Sequence, residues 1–450
     1  SALMAVEAAC GTTGRNQVCY GHVMLEAEPR EGVNDWVFEQ VGDLVDLAAL
    51  HSLRTSAMDL EAGAWGVALM RLQTNLPEML PGQAVTMIVF GDVQMTNTGG
   101  MSSALAAITA TTGANVRQRP STGSAVLMSL RRGESVMADG RLADDSWLRV
   151  RLPEGGVGWV SAELVSSPDD LGLLTVFDLA GTAPLYGPMQ AFYFTTSLAR
   201  APCVEAPPSG ILIQTPEGAG EVTFSVNGVQ IGLGSTVFMQ AQAGDSLYTT
   251  VLEGQAAISF AGMLPVIPAG TVVRAPLNEQ GTVSGPPLLP DPYDPQVIQS
   301  LPVQLLERQI PLLTTLLDVS YCNNVLGGEI EVVAGQPITA ATYPGGWNNA
   351  EDTAAVMPYT GVSMTVDGVP ATFIGLGPVG RCMEGDVETC YNFPAYFTVG
   401  SLTPGDHVFD AVHNHPGLRP WYPDSATGPR VWTEHCVVHA RVPESPANGS

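Results

Sequence analysis

Short apolar runs recur along the chain, each about the length of a β-strand and each closed by Gly, Pro or Asn. Near the start they are Gly21–Glu28, Trp65–Leu72 and Ala84–Met95. Asp43–Leu53 fits either a short helix or a further strand. Between residues 210 and 285 the runs follow one another at roughly 8–12-residue spacing, the rhythm of an all-β sandwich or solenoid. The last region predicts strands at Gly328–Val333, Val362–Val366, Ala371–Ile374, Tyr396–Val399, His407–His413 and Trp432–Val442. The final strand alternates: Cys436, Val438, Ala440 and Val442 share one face, and His435, Val437, His439 and Arg441 the other. Helical spacing occurs in Val297–Leu317, at Val297, Ile298, Leu301, Leu305, Leu306 and Ile310. Pro302 and Pro311 must start, kink or end any helix there.

The pattern therefore predicts an all-β protein, a string of small β domains with one short helical connector. A length of 450 residues allows about three or four domains of ordinary size. Residues 97–112 are dominated by small and hydroxylic side chains, as in a linker, and residues 283–296 form a stiff proline-rich spacer. Residues 444–450 read as a tail.

Composition narrows the function classes. Hydrophobic residues make up 45% and charged residues 14%, which excludes a disordered polyelectrolyte. All 18 basic residues are arginines, and against 44 acidic residues the net charge is -26. Such a chain repels phosphate backbones, so nucleic acid is not an expected partner. The absence of lysine excludes Schiff-base chemistry and a P-loop. No run reaches the ~20 apolar residues of a membrane span. The start, Ser-Ala-Leu-Met, reads as a mature, processed product.

Seven cysteines bear on the compartment: Cys10, Cys19, Cys203, Cys322, Cys382, Cys390 and Cys436. Cys10 with Cys19 and Cys382 with Cys390 are close in sequence. Cys322 and Cys436 bracket the last region, as a disulfide pinning the first and last strands of one domain would. Cys203 is left over, as a free thiol or an intermolecular bridge. No spacing is C-x-x-C, which disfavours zinc ribbons and thioredoxin-like chemistry. The set predicts a disulfide framework and a secreted, extracellular or cell-surface location; the alternative is buried thiols in a cytosolic protein.

Residues 113–166 contain Ala114-Asn-Val-Arg-Gln-Arg-Pro120, a Gly133 before the third strand, Trp147-Leu-Arg-Val150 and Gly158-Trp159-Val160. This stretch resembles the bacterial Src-homology-three family, which implies a small β-barrel in a protein of the bacterial envelope. Members often bind peptidoglycan or peptides, through residues that vary. Residues 210–285 contain Gly234-Ser-Thr, Val251-Leu-Glu-Gly254 and Ala269-Gly270 before a valine pair. They resemble the FecR-type domain, with residues 168–209 joining the same domain. Leu402-Thr-Pro-Gly405-Asp-His407 resembles a turn of bacterial immunoglobulin-like sandwiches. The resulting division is a β-rich N-terminal domain at 1–100, the barrel at 113–166, a FecR-like domain at 168–285, a linker with a short helix at 286–318, and an immunoglobulin-like sandwich at 319–443.

Candidate chemistry is sparse. His413 and His415 share a strand face, and His435 and His439 flank Val437, so a His-rich metal site forms if those strands are neighbours. The competing reading is solvent-facing strand residues. Asp144-Asp145, Asp169-Asp170 and Asp291-Pro-Tyr-Asp294 offer oxygen ligands for calcium, without the D-x-D-x-D-G spacing. There is no G-x-S-x-G. Cys10 with His22 is the one pairing for a cell-wall hydrolase, and Cys19 competes for Cys10. Trp147 and Trp159 read as barrel core rather than a ligand groove.

No catalytic residue is expected. The first functional reading is a non-enzymatic extracellular structural protein whose copies assemble into a filament, sheath or surface layer. The alternative is an envelope-associated protein that binds peptidoglycan, glycan or peptide, and a cell-wall hydrolase comes third.

Overall fold

The computed structural model describes residues 2–33, 36–59, 61, 63–73, 83–99, 105–142, 145–152, 156–169, 171, 174–177, 186–198, 206–218, 220–259, 264–311, 313–344, 353–354, 357, 360–384, 387–415 and 430–442. The chain is all-β, with short helices at Ala2–Cys10, Pro295–Ser300 and Val319–Asn324 among the described residues. It divides into two compact units, residues 1–194 with 224–226, and residues 195–223 with 227–450. The strands at 1–100 and the barrel thus belong to one unit, where the sequence reading separates them. Residues 168–285, read as one domain, are shared between the two units.

In the first unit, Gln17–His22 pairs with Leu44–Asp46 and with Val67–Leu72, which pairs with Val85–Phe90. Val85–Phe90 is buried at every position, which explains its unbroken apolar run. Leu25–Pro29 pairs with Leu50–Thr55, which pairs with Val93–Asn97. Residues 43–53 thus form strands, not a helix. The helix Ala2–Cys10 is tied to Gln17–His22 by the disulfide Cys10–Cys19.

The barrel sheet runs in the order Val126–Leu130, Ala114–Arg117, Val157–Ser161, Trp147–Arg151, Ser135–Leu142, Ala106–Ala110, Val165–Ser166. Ala106–Ala110 overturns the linker reading of 97–112. Its Ala106, Ile108 and Ala110 alternate into the core, and small side chains suit the crowded interior of a small barrel. Thr175–Phe177 adds a parallel strand along Gly140–Leu142. Gly158 sits where a Cβ would lie 2.5 Å from Val116 Cγ1, so the close strand crossing requires glycine there.

In the second unit, the strands Gly210–Gln214, Thr236–Ala241, Ser246–Glu253, Thr271–Pro276 and Asp291–Pro292 lie side by side, each antiparallel to the next. Asp294 caps the helix Pro295–Ser300, its carboxylate accepting from the Gln296 amide at 2.9 Å. The 3-10 turn Val303–Leu305 follows Pro302, as the proline positions require.

The C-terminal region has two sheets. One orders Thr315–Asp318, Pro337–Thr342, Ala395–Ser401 and Thr372–Leu376; the other orders Glu329–Val333, Arg430–Arg441, Gly405–His415, Gly361–Val366 and Val369–Pro370. Leu317, Ile338, Phe397, Phe409, Cys436 and Val438 form their shared core. The disulfide Cys322–Cys436 crosses that core. Cys382 and Cys390 stand opposite each other in the register of a hairpin, Gly380–Glu384 with Val387–Asn392. Their side chains lie outside the described residues, as do Cys203, the His415 side chain and the tail.

Candidate functional site

Two places bear on function: the barrel surface and the histidine-bearing strands of the C-terminal region.

Inside the barrel, Trp159 is buried and meets Phe177 edge-on, with ring centroids 5.6 Å apart. The Arg149 guanidinium lies 3.9 Å over the Phe177 ring and pairs with Asp139 at 2.8 Å. Trp147 packs on this cluster, half-buried. Both tryptophans therefore support the barrel, and Phe177, from beyond the motif, completes their packing. The outer surface is different. Val126, Leu127 and Val157 are exposed, as are Arg119, Arg131 and Arg132. Val126 and Leu127 lie on the sheet's edge strand, whose outer side has no strand partner among the described residues. Residues 112–166 hold seven of the 18 arginines against six acidic residues, on a chain of net charge -26. The barrel thus joins exposed aliphatic groups, exposed arginines and, among the described residues, an open strand edge.

Of the four candidate metal histidines, His413, His435 and His439 have described side chains, and these three do not converge. Gly405–His415 and Arg430–Arg441 are neighbours, but His413 lies on their core face while His435 and His439 lie on the other. Alternation along each strand separates them. No group of three or more His, Cys, Asp or Glu suited to a metal occurs among the described residues.

The described histidines of these strands other than His413 pair with carboxylates instead. His435 Nδ1 is 2.7 Å from Asp410, His439 Nδ1 is 2.8 Å from Asp406, and His407 Nδ1 is 2.7 Å from Asp367. The bond to Asp367, then the Thr403 carbonyl, holds His407 above its ordinary value, and the bond to Asp406 does the same for His439. Asp367 is held low by the Val408 amide and then by His407, and Asp406 by His439.

His413 belongs to a buried cluster. Its Nε2 lies 2.9 Å from Thr342 Oγ1, and the Thr342 hydroxyl donates to Glu434 Oε2 at 2.6 Å. The Ser320 hydroxyl donates to the same oxygen at 2.6 Å and accepts from the Tyr343 amide at 2.8 Å. Burial pushes the Glu434 carboxyl up, but bonds from His413, Ser320 and Thr342 outweigh it and leave the group below its ordinary value. Ser320 contacts the carboxylate rather than the imidazole, so the cluster is not a serine–histidine relay. It pins the helix Val319–Asn324 and the strands Pro337–Thr342, Gly405–His415 and Arg430–Arg441 around one charge.

The sequence reading passes over Ser320, Thr342 and Glu434. The available signal is parity: Glu434 continues the core-facing series of Cys436, Val438 and Ala440, and a carboxylate in such a series needs buried partners. At the other end of the chain, Cys10 is bonded to Cys19, and His22 Nδ1 lies 3.1 Å from the Trp65 carbonyl. A disulfide sulfur is no thiolate, which removes the hydrolase pairing.

Residues 112–166 match the bacterial SH3 domain family. A comparison with curated proteins gives no match. Among solved structures, the chain is similar to the crystal structure of the cysteine protease inhibitor EhICP2 from Entamoeba histolytica. That match has 12% identity and a TM-score of 0.15, over 28% of this chain and 95% of the other. It is also similar to the solution structure of Amebosin, with 18% identity and a TM-score of 0.13, over 28% of this chain and 96% of the other. Among the described residues, no helix is long and apolar enough to cross a membrane.

Proposed function

We propose that this is a non-enzymatic, secreted protein of the bacterial envelope whose SH3 barrel binds cell-wall peptidoglycan. The match of residues 112–166 to the bacterial SH3 family carries this reading, since such domains often bind peptidoglycan. Two disulfides support an oxidising location. The barrel surface supports it too: exposed Val126, Leu127 and Val157 offer apolar contact, and Arg131 and Arg132 offer cations to the carboxylates of a wall peptide. Within this reading, residues 210–285 carry FecR-like strands and residues 319–443 form an immunoglobulin-like sandwich.

Cosedimentation of the full chain with purified peptidoglycan sacculi tests the reading. The chain should pellet with sacculi, and a variant carrying R131A and R132A should remain largely in the supernatant. A wild-type chain that stays in solution overturns it.

A second reading is self-assembly into a filament, sheath or surface layer with copies of the chain as partners. The open edge of Val126–Leu130 favours it, because such an edge accepts a strand from a neighbouring copy. Negative-stain electron microscopy of the secreted material distinguishes the two: ordered fibres or sheets support assembly, and dispersed monomers reject it.

A further inference from the structure

The barrel strand Val126–Leu130 and the C-terminal strand Glu329–Val333 are both edge strands of five residues. Among the described residues, the first pairs only with Ala114–Arg117 and the second only with Arg430–Arg441. Met128 and Leu130 pack on the barrel core, and Leu127, Ser129 and the next residue of that row, Arg131, are exposed. Ile330 and Val332 pack on the C-terminal core, and Glu329, Glu331 and Val333 are exposed.

Set antiparallel, the two rows complement each other. The register that puts Val333 opposite Leu127 also puts Glu331 opposite Ser129 and Glu329 opposite Arg131. Val332 and Ile330 then stand opposite Met128 and Leu130 on the core side. The bulge between Val126 and Met128 falls at the end of this register. Arg131 has no ion pair among the described residues, and the nearest cations to Glu329 and Glu331 are His439 at 3.7 Å and Arg441 at 3.6 Å, with both carboxylates largely exposed. Charge favours the same match over distance. Residues 112–166 carry seven arginines against six acidic residues, and the rest of the chain carries 11 against 38. Leu25–Pro29 is also an acidic edge strand, but Pro29 withdraws a backbone donor, and its exposed Glu26 and Glu28 include no apolar side chain to meet Leu127.

We propose that Glu329–Val333 of one copy adds to Val126–Leu130 of the next, antiparallel, with Glu329 against Arg131. This rests on the self-assembly reading and names the two strands that make the contact. Pairing of Glu329–Val333 with its own counterpart would bring carboxylates together, so the charges select the mixed contact. The two edges differ, so the contact is head-to-tail and extends into an open chain of copies.

Sedimentation velocity of the full chain over a concentration series tests the proposal, alongside R131E, E329R and the double variant R131E/E329R. Both side chains are exposed, so the substitutions leave the core packing unchanged. The unmodified chain should associate. Each single variant should weaken association about tenfold, because like charges then face each other. The double variant restores an opposite pair and should recover most of the loss. Association that the single variants leave unchanged, or that the double variant fails to recover, overturns the strand pairing and leaves self-assembly standing. An unmodified chain that stays monomeric at every concentration overturns both.

Discussion

His413 and Trp432 stand directly opposite each other in the antiparallel pair Gly405–His415 and Arg430–Arg441, with their rings stacked 4.9 Å apart at 12°. The stack and the Thr342 contact hold the imidazole on two sides, and the ring's Nε2 faces Glu434 at 3.3 Å. Glu434 is therefore the acceptor on which several donors depend. Replacing it with leucine should destabilise the fold by about 3 kcal/mol, because buried donors lose their partner. In an E434L/T342V double variant the further loss should be smaller than for T342V alone. Urea unfolding of the four proteins of that cycle measures both effects.

Asp318 gives a pH signature. Its folded value of about 6 lies above its ordinary 3.8, so the folded state holds a proton that the unfolded state releases. Stability is then greatest below about pH 4 for this group and falls as pH rises towards 6. D318N should be more stable than the unmodified chain at pH 7, by up to about 3 kcal/mol, and the gain should vanish near pH 4. Denaturation midpoints at the two pH values check it.

The histidine–carboxylate pairs act in the opposite sense at each end of the scale. His407 and His439 are raised, so their contribution is full below the unfolded value of about 6.5 and fades as pH rises through the folded one. Asp367 and Asp406 are lowered, so theirs is present above about pH 4 and fades below it. A D367N/D406N variant should show a smaller stability difference between pH 5.5 and 8 than the unmodified chain. Melting temperature against pH reads this directly, and added salt should flatten it.

The barrel's boundaries should exceed those of the family match. Ala106, Ile108, Ala110 and Leu174 lie in its core, and Phe177 packs on Trp159. A fragment of residues 112–166 should therefore remain largely unfolded, whereas residues 105–177 should fold. Circular dichroism of the two fragments decides it. In the full chain G158A should cost about 1–3 kcal/mol, since the added methyl meets Val116 and Leu127.

Reduction should affect the C-terminal region most. The Cys322–Cys436 bond closes a separation of 114 residues and Cys10–Cys19 one of 9. Loop-closure entropy assigns about 4–5 kcal/mol to the first and about 2–3 to the second. C322S/C436S should therefore lower the urea midpoint more than C10S/C19S.

Strand identity was legible because each strand has its own local period. Val85–Phe90 reads as a central strand from its apolar run, and Cys436, Val438 and Ala440 read as a core face from alternation. The linker reading of 97–112 failed at Ala106–Ala110, where small side chains that suit a spacer also suit a crowded barrel interior. The helix Val319–Asn324 was missed because its six residues are held by the Asp318 cap and the Cys322 bond rather than by amphipathic spacing. The histidines illustrate the limit of strand parity. Spacing puts His413 on one face of its strand, but whether that face meets core or water depends on the neighbouring sheet. The buried cluster was illegible for a related reason: Ser320, Thr342 and Glu434 are joined by topology across 114 residues, and no local period records that.

Glu329–Val333 runs parallel to the second half of Arg430–Arg441, with Glu329 opposite Val437 and Val333 opposite Arg441. The first strand of this sheet therefore waits for the last one to be synthesised. Until then Glu329–Val333 has no neighbour in its sheet, Ser320 lacks its carboxylate, and Cys322 lacks its sulfur partner. This sheet consequently closes only once residues 430–441 have been made, however early Glu329–Val333 emerges. A chain cut before residue 430 would leave Glu329–Val333 without its sheet neighbour and Cys322 without its partner, so one late strand decides whether this whole region closes.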